Sequence, residues 1–231
     1  MSRHDLFVVL KIAVVLIAAR VMATQVRKPG RWLGRLIARG MNYSHAAMTA
    51  WGLSHVAVEK HFTMLDVGCG GGKTIDRLAS LAPDGRVFGI DYAAGSVATA
   101  RATNAARIAE GRVDIQRGTV SHLPFGADTF DIVTAVETHY YWPDLPRDVS
   151  EVQRVLKPGG TFVIIAEAYR GRQMDWLYRP AMAMLGARYL TLAQHRDLLT
   201  NAGYVDVVVE PQPSKGWMYA KGTKPGAPTS P

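Results

Sequence analysis

The sequence predicts an α/β fold in which a largely parallel β-sheet is covered by helices on both faces. Seven short runs of apolar or β-branched residues follow one another between Phe62 and Gly222, and stretches of helical length separate most of them. Glycine stands just past two of these stretches, in "LKPGG" and "NAGY", where helices commonly end. Strands that alternate with helices of this length indicate a parallel sheet.

The elements follow one another in a regular order. The predicted strands are "FTMLDVG", "RVFGID", "VDIQRG", "FDIVTAVE", "TFVIIAE", "YVDVVVE" and "WMYAKG". The predicted helices are "KTIDRLASLA", "AGSVATARATNAARIAEG", "DLPRDVSEVQRVLK" and "LAQHRDLLTNAG". A segment rich in Met, Tyr and Arg, from Tyr169 to Leu190, lies before the last helix, and we expect it to form a lid.

Length and composition limit the class of protein. A chain of 231 residues has room for one sizeable core, and its 48% hydrophobic and 20% charged residues are typical of a globular protein. Cys69 is the only cysteine, which excludes an intramolecular disulfide and a multi-cysteine metal site. We therefore expect a single domain in a reducing compartment, with no bound metal.

The positive charge is concentrated at the N-terminus. The chain carries a net charge of +8, of which residues 1–45 contribute +7. The remainder is close to neutral, whereas a nucleic-acid-binding domain usually carries a basic face. The charge pattern therefore disfavours nucleic acid as a partner and assigns the basicity to an N-terminal helical appendage.

The appendage has the character of a membrane-surface segment. From Leu6 to Ala23 only Lys11 and Arg20 are polar, and the central lysine makes insertion as a spanning helix expensive. A basic amphipathic stretch follows, in which arginines recur every four residues at positions 31, 35 and 39. Such a helix suits an anionic membrane surface, and the alternative is a helix packed on the body with a solvated arginine face.

These patterns divide the chain into four parts. Residues 1–28 form the apolar and basic segment, and residues 29–60 form the amphipathic and pre-sheet helices. Residues 61–221 form the sheet domain, and residues 222–231 form a disordered tail rich in Pro and Gly. We expect a cytoplasmic protein that associates with the inner face of a membrane through residues 1–40.

The stretch "LDVGCGGGKT" is the main candidate for ligand binding. A Walker A loop needs four residues between its first glycine and the Gly-Lys-Thr, but only three separate Gly68 from Gly72. The dinucleotide fingerprint would require a third glycine where Lys73 stands. A D-x-G-x-G-x-G loop, formed here by Asp66, Gly68, Gly70 and Gly72, lets the backbone approach the methionine portion of S-adenosylmethionine closely.

A spaced acid supports the same cofactor. Asp91 ends the second predicted strand, 25 residues after Asp66, where a carboxylate can accept hydrogen bonds from both ribose hydroxyls. With the motifs "LDVGCGGG", "GIDYAAGSV", "GTVSHLPFGADTFDIVTAVE", "EVQRVLKPGG" and "LLTNAGY", the chain resembles the class I S-adenosylmethionine-dependent methyltransferases. It is most similar to their ubiquinone/menaquinone-biosynthesis C-methyltransferase branch, over about Met41 to Tyr219.

The resemblance implies a Rossmann-like seven-stranded sheet of order 3-2-1-4-5-7-6 whose last strand is antiparallel. It also implies that S-adenosylmethionine is the cofactor and S-adenosylhomocysteine the product. Relatives often have an acid where this chain has Thr119, so the adenine amine is read here by a hydroxyl or a backbone group. The residues implied to contact the cofactor are Asp66, Gly68, Cys69, Gly70 and Gly72 in the loop, Asp91 and Tyr92 at the ribose, Thr119 and Val120 at the adenine, and Val136 and Glu137 beneath the sulfonium.

Candidates for the methyl-transfer chemistry follow the fourth predicted strand in "ETHYYWPD". His139 is the best candidate for a general base because its ordinary pKa lies near neutrality, with Tyr140 beside it. Tyr141 and Trp142 are candidates to wall an apolar acceptor site. The alternative for all four is local packing and hydrogen bonding.

The region before the first strand supplies two further candidates. Tyr43 and His45 belong to a predicted helix that would close over the methyl donor and acceptor, although such residues more often cap and pack a helix. We expect methyl transfer to a small, lipophilic acceptor. The alternatives are a protein that binds S-adenosylmethionine or S-adenosylhomocysteine without catalysis, and a methyltransferase that associates with nucleic acid.

Overall fold

The computed structural model describes residues 45–172 and 175–226. Its seven strands form one sheet in the order β3-β2-β1-β4-β5-β7-β6. The five strands from β3 to β5 run parallel, and β7 is antiparallel to both β5 and β6. The predicted fold class and strand order are thereby confirmed.

All seven predicted strands form. They are β1 (Thr63–Val67), β2 (Arg86–Asp91), β3 (Val113–Arg117), β4 (Phe130–Val136), β5 (Leu156–Ala166), β6 (Val205–Gln212) and β7 (Trp217–Thr223). The helices of the described residues are α1 (Ala46–Leu53), α2 (Lys73–Leu81), α3 (Ala94–Thr103), α4 (Ala105–Ala109), α5 (Leu145–Val155), α6 (Asp175–Met184) and α7 (Leu192–Asn201), with a 3₁₀ turn at His139–Tyr141.

The core lies on both faces of the sheet because successive strand residues point to opposite faces. On one face, Leu65 of β1 packs in a cluster with Val149 of α5 and Leu199 of α7. On the other face, Met64 packs in a cluster with Met48 of α1 and Ile75 of α2. This two-sided burial explains why the parallel strands read as nearly continuous apolar runs.

One predicted helix is divided in two. Within the stretch "AGSVATARATNAARIAEG", α3 ends at Thr103 and α4 begins at Ala105. Asn104 stands at the break, and its buried side-chain amide donates to the carbonyl oxygens of Gly72 and Ala100, both at 2.9 Å. The amide therefore satisfies backbone acceptors at the helix end and ties α3 to the glycine loop.

The C-terminal strand extends past the predicted domain boundary. Gly222 and Thr223 belong to β7, although they fall in the segment expected to be disordered. Lys224 Nζ donates to Asp128 Oδ1 at 2.7 Å and to the Leu156 carbonyl oxygen at 2.8 Å. These contacts order the chain through the first residues of the predicted tail, whereas residues 227–231 lie outside the described residues.

The insertion between β5 and α7 contains α6. It is anchored at its base, where the Arg170 N–H donates to the Leu190 carbonyl oxygen at 2.7 Å. The Arg188 N–H donates to the Tyr140 carbonyl oxygen at 2.8 Å, which ties the insertion to the 3₁₀ turn. The insertion therefore packs against the turn that follows β4.

The N-terminal part of the described chain joins the sheet domain. Helix α1 lies against β5 closely enough that a Cβ added at Gly52 would meet Ile165 Cδ1 at 2.6 Å. The predicted membrane-surface segment and Tyr43 fall in residues 1–44, outside the described residues. Within residues 45–172 and 175–226, no helix has the length and apolar character needed to span a bilayer.

Candidate active site

A cavity of about 870 Å³ opens at the carboxyl ends of the parallel strands. Its volume is near the upper end of the range for small-molecule sites, roughly 300–1,000 Å³. Its position agrees with the general rule that ligands of open α/β sheets bind outside the carboxyl ends of the strands. Of the residues predicted to contact cofactor or acceptor, those that line it are His45, Asp66, Gly68, Cys69, Gly70, Asp91, Tyr92, Thr119, Val120, Val136, Glu137, Tyr141 and Trp142.

The glycine loop connects β1 to α2 and forms one wall of the cavity. Gly68 has φ +75°, and a Cβ there would meet Thr138 Cγ2 at 2.6 Å. Thr138 also donates from Oγ1 to the Val67 carbonyl oxygen at 2.9 Å. Glycine is therefore required at position 68 both by the backbone conformation and by the close approach of the segment that follows β4.

Asp91 fixes the loop at the end of β2. Its Oδ2 accepts from the Gly70 N–H at 3.0 Å, and its Oδ1 accepts from the Ala93 N–H at 2.8 Å. Each carboxylate oxygen has a second acceptor site, and because the Ser96 side chain also donates to the carboxylate, capacity remains for one ribose hydroxyl. Burial raises the pKa of Asp91, while the two N–H groups act in the opposite direction.

Asp66 lies deeper, at the end of β1. It is only 2% exposed, and Thr134 of β4 donates to its Oδ1 at 2.7 Å. Burial raises the pKa of Asp66 to about 7, and the neighbouring Asp91 carboxylate acts in the same direction. A buried carboxylate with one neutral donor would be stabilised by a cation, and the methionine portion of S-adenosylmethionine carries both an ammonium and a sulfonium group.

Two turns form the side of the cavity at which the resemblance implies that the adenine binds. Tyr92 is 42% exposed directly after β2, and Val120 is buried in the turn after β3. Thr119 pairs with His122 in an isolated antiparallel β-bridge, and it also lines the cavity. A planar ring could stack between Tyr92 and Val120, with the Thr119 hydroxyl at its edge.

Two predicted loop residues serve the fold more than the cavity. Gly72 does not line the cavity, because it faces α3, where an added Cβ would meet Ala100 Cα at 2.8 Å. Cys69 lines the cavity, but its side chain packs towards β2, and a Cβ at Gly89 would lie 3.2 Å from its Sγ. Burial raises the pKa of the Cys69 thiol well above its ordinary value, so Cys69 has the character of a packing residue.

The opposite end of the cavity combines aromatic and acidic side chains. Tyr141 ends the 3₁₀ turn and the buried Trp142 follows it, and His45 enters from the start of α1. Glu137 follows β4 with an unusual backbone angle, φ +59°. Its Oε1 accepts from the Glu167 N–H at 2.5 Å, which fixes the carboxyl group at the point where β4 and β5 end.

The pKa values of Glu137 and His45 are shifted by burial and by the nearby Glu167 carboxylate. Burial is the main cause that raises the pKa of Glu137 to about 8, and the Glu167 carboxylate adds to the effect. Burial lowers the pKa of His45, while the Glu167 carboxylate acts in the opposite direction. Perturbed titratable groups in a cleft are a common property of functional sites.

The structure places His139 and Tyr140 behind the cavity wall. Neither residue lines the cavity, and His139 is completely buried. Its Nε2 lies 3.0 Å from Nε2 of the buried His195 in α7, whose Nδ1 lies 2.8 Å from the Thr191 carbonyl oxygen. His139 therefore links the 3₁₀ turn to α7 and does not reach a molecule in the cavity, so we assign no base function to it.

The predicted lid does not cover the cavity in this structure. Of the described residues between Tyr169 and Leu190, none lines the cavity. The Arg172 guanidinium lies over the Tyr178 ring, 3.9 Å from its centroid, and donates to the Glu167 carbonyl oxygen at 2.6 Å. The insertion therefore supports the residues at the end of β5 from outside.

Sequence reasoning missed several residues of the site. Gly71 lines the cavity from within the glycine loop, and Lys73 and Thr74 line it from the start of α2, so their place in or directly after the loop was the available signal. Glu167 directly follows the fifth strand, as Glu137 follows the fourth, so the rule applied to acids at strand ends would have found it. Nothing local in the sequence marks Thr134 as the partner of Asp66.

Comparison with known proteins agrees with this geometry. A family model described as a methyltransferase domain matches residues 65–164. A demethylmenaquinone methyltransferase from Symbiobacterium thermophilum is 40% identical over 103 residues, which are 44% of this chain and 41% of that protein. An uncharacterized methyltransferase from Synechocystis is 31% identical over 153 residues, which are 65% of this chain and 67% of that protein.

Solved structures share the fold. A chain from the complex between the Haloferax volcanii Trm112 methyltransferase activator and a methyltransferase superposes with a TM-score of 0.73 at 23% identity. The similarity covers 85% of this chain and 96% of that one. This chain spans about half the length of most of the curated relatives that it matches.

Three features of the molecule agree with one another. The sheet carries an antiparallel seventh strand between β5 and β6. The glycine loop and Asp91 line one cavity. The match to the methyltransferase family model, over residues 65–164, includes the glycine loop and Asp91. With the extended similarity to known methyltransferases, they identify the chain as a member of the S-adenosylmethionine-dependent methyltransferases.

Proposed function

We propose that this protein transfers the methyl group of S-adenosylmethionine to a small, lipophilic acceptor. The observation that carries the proposal is that one cavity extends from the glycine loop and Asp91 to Tyr141 and Trp142. Donor and acceptor would thus share a continuous space of about 870 Å³, with the sulfonium between them.

Methyl transfer from a sulfonium is an in-line displacement, which depends on alignment and on exclusion of water. The glycine loop and Asp91 would hold the donor at two separate points, its methionine portion and its ribose. Asp66 and Glu137 carry carboxyl groups at the ends of β1 and β4, where they face the positive charge of the donor before transfer. Tyr141 and Trp142 would exclude water from the acceptor side.

Three observations support a lipophilic acceptor. Trp142 is buried beside Tyr141 at the acceptor end of the cavity. The Symbiobacterium relative is named for acting on demethylmenaquinone, a lipophilic molecule. The sequence between Leu6 and Ala23 is almost entirely apolar, and arginines follow it at regular spacing. A membrane-associated enzyme with an aromatic pocket is suited to an acceptor that resides in the membrane.

The donor assignment is tested by a thermal-shift series. S-adenosylmethionine, S-adenosylhomocysteine, NAD and ATP would each be added to the full chain. A ligand at one hundred times its dissociation constant stabilises the folded state by about 2.7 kcal/mol. For a chain of this size, that corresponds to a rise in Tm of roughly 5–10 °C. We expect a shift with the two sulfur ligands alone, and a shift with NAD or ATP instead would overturn the assignment.

Catalysis is tested by release of S-adenosylhomocysteine in the presence of acceptor panels. We expect product with lipophilic quinones, phenols or terpenoid alcohols, and none with nucleic acid. Donor binding without product across the panels would favour a non-catalytic binding protein. Product with RNA, together with RNA binding that weakens steeply with salt, would favour the nucleic-acid alternative.

The membrane proposal has a separate test. Deletion of residues 1–28 should leave donor binding intact and move the protein from sedimented anionic vesicles to the supernatant, because the apolar and basic segment is removed. If the truncated chain still sediments with the vesicles, this segment is not the tether.

A further inference from the structure

A cluster of three side chains borders the acceptor end of the cavity, and the proposed methyl transfer uses only one of them, Glu137. His45, Glu137 and Glu167 come from the start of α1, the end of β4 and the end of β5. One nitrogen or oxygen atom from each side chain lies within 4.8 Å of the corresponding atoms of the other two. Residues separated by 92 and 30 positions are thus brought to one point by the sheet.

Neither carboxylate forms an ion pair with a described residue, although burial, which raises the pKa of Glu137, is opposed from a longer distance by the Arg172 charge. Within the part of the chain that the structure describes, no Lys, Arg or His nitrogen lies within 4.0 Å of either carboxylate. Arg172 is near, but its guanidinium donates to the Glu167 carbonyl oxygen and not to the Glu167 carboxylate. Two partly buried carboxylates at one point are costly unless a cation or a proton compensates them.

The spacing of the three side chains is close to that of ligands around one ion. Among the described residues, no hydrogen bond joins the His45 ring to either carboxylate, and Glu137 uses only Oε1 to accept from the Glu167 N–H. Two atoms bound to one transition-metal ion are separated by roughly 3 to 4.4 Å, because each bond is about 2.0–2.2 Å long. Small side-chain rotations would close the cluster onto one ion.

A neighbouring side chain supplies an independent observation. Tyr140 is 3% exposed, and its hydroxyl has no hydrogen-bond partner among the described residues. Glu137 is the neighbouring side chain with which this hydroxyl interacts, although the geometry of a hydrogen bond between them is not reached. The hydroxyl could therefore donate to the Glu137 carboxylate or to a water molecule on a bound ion after a small rotation.

We propose that His45, Glu137 and Glu167 bind one divalent transition-metal ion at the acceptor end of the cavity. One imidazole and two carboxylates suit Mn²⁺, Fe²⁺ or Zn²⁺ better than Ca²⁺, which prefers oxygen ligands alone. Three protein ligands leave coordination positions open for another molecule. The sequence-based expectation of no metal rested on the single cysteine and did not test a His and Glu site.

The site would select a hydroxyl-bearing acceptor, and this part of the inference rests on the proposed function. The acceptor oxygen would bind an open position of the ion, which lowers the pKa of the hydroxyl and favours loss of its proton to water. The oxygen would then form a bond to the methyl carbon as the carbon–sulfur bond breaks. The products are the methyl ether, S-adenosylhomocysteine and one proton.

The test begins with metal binding to the full chain without an affinity tag. Mn²⁺ would be titrated into the protein and the loss of its free-ion signal followed by electron paramagnetic resonance. We expect one Mn²⁺ per chain, displaced by Zn²⁺, with at least tenfold weaker binding in Glu167→Gln and in His45→Gln. Pulsed spectra should show a nitrogen coupling that disappears in His45→Gln.

Glu59→Gln is the matched control, because Glu59 is exposed and its ion pair is a 3.8 Å contact with His61. It should bind Mn²⁺ as the wild type does. Thermal shifts with S-adenosylhomocysteine verify that each variant is folded. Absence of stoichiometric binding, or equal binding in all variants, would overturn the metal site. Absence of a thermal shift with S-adenosylhomocysteine in the wild type would instead overturn the proposed function, so the two failures are distinguishable.

Discussion

The two ends of the cavity are built in different ways. At the donor end, Asp91 accepts from the backbone N–H groups of Gly70 and Ala93, so local loop geometry defines the site. At the acceptor end, His45, Glu137 and Glu167 meet only because β4, β5 and α1 end at the same edge. The donor end is a short continuous motif, whereas the acceptor end is an assembly of distant residues.

The difference shows how a fold can keep one ligand and change another. The glycine loop requires a left-handed backbone at Gly68 and Gly70 and admits few substitutions. Side chains at strand ends can change without breaking a strand or a helix, since they stand on loops carried by a rigid scaffold. The donor end therefore depends mainly on the backbone conformation of the glycine loop, whereas the acceptor end depends on side chains that can be substituted.

Among substitutions at the two ends of the cavity, we expect the largest effect on ligand affinity from a substitution of Asp91. We expect Asp91→Ala to weaken S-adenosylhomocysteine binding by at least one hundredfold, because it removes the ribose acceptor and the anchor of the Gly70 N–H. Isothermal titration calorimetry measures the effect. Asp114→Ala, an exposed acid on the neighbouring strand β3, is the control. Equal affinities in the two variants would contradict the assigned role.

Two glycines of the loop separate backbone strain from packing. Gly68→Ala combines a left-handed backbone with a Cβ 2.6 Å from Thr138, and we expect it to lower the free energy of unfolding by about 3 kcal/mol. Gly70→Ala has a similar backbone but open space, with the nearest atom at 4.0 Å, so we expect about 1 kcal/mol. Urea denaturation of both variants checks the order, and the reverse order would contradict the geometry.

Asp66 is expected to limit the stability of the ligand-free protein at alkaline pH. Its pKa is raised to about 7 in the folded state, above its ordinary value of 3.8, so its contribution is lost as pH rises from about 4 through 7. Asp66→Asn should therefore raise the free energy of unfolding at pH 8 by about 2 kcal/mol.

The same substitution should weaken S-adenosylmethionine binding, because it removes the carboxylate that faces the cationic donor. Urea denaturation at pH 5 and pH 8 and a binding titration measure the two effects. A variant that is less stable than the wild type at pH 8 would contradict the raised pKa.

The buried histidine pair should produce the opposite pH dependence. Burial is the main cause that lowers the pKa values of His139 and His195, so the unfolded chain takes up protons more readily than the folded one. Stability is complete above the ordinary histidine pKa of about 6.5 and falls as pH decreases below it.

We expect a loss of about 1 kcal/mol between pH 7 and pH 5.5 that His195→Gln reduces. The wild type and His195→Gln would be compared by urea denaturation across this range. His122→Gln, at an exposed histidine, should keep the wild-type slope. Identical slopes in the wild type and His195→Gln would show that the pair does not titrate on unfolding.

The smallest effect is expected at Thr119. Thr119 lines the cavity at the proposed adenine side, and its hydroxyl already accepts from the Ser121 N–H at 3.4 Å. Thr119→Ala should weaken donor binding less than threefold, measured by the same calorimetry. A loss of tenfold or more would mean that the Thr119 hydroxyl carries the recognition of the adenine amine.

The fold, and the residues predicted to contact the cofactor that the structure brings to one cavity, could be predicted from the sequence because their signals are local. Alternating strands and helices, glycines at fixed spacing and Asp91 at a strand end all lie within short windows. The acceptor end was read less well. His139 has the residue type of a general base, but its side chain turns towards His195, a contact across 56 residues that only the packing of α7 determines. Glu167 was missed although it stands at a strand end. Its proximity to Glu137 and His45 is set by the packing of the sheet and is not visible in the local sequence.

The position of Cys69 makes the glycine loop observable in solution. The only thiol of the chain is buried within the loop and packs towards Gly89, and burial raises its pKa. Because Cys69 also lines the cavity, its labelling rate in the native protein measures how accessible the thiol is through the cavity and through local opening of the loop. A slowing of that rate by S-adenosylhomocysteine would show that the ligand shields the loop, and the dependence of the rate on ligand concentration would give the dissociation constant without any introduced label.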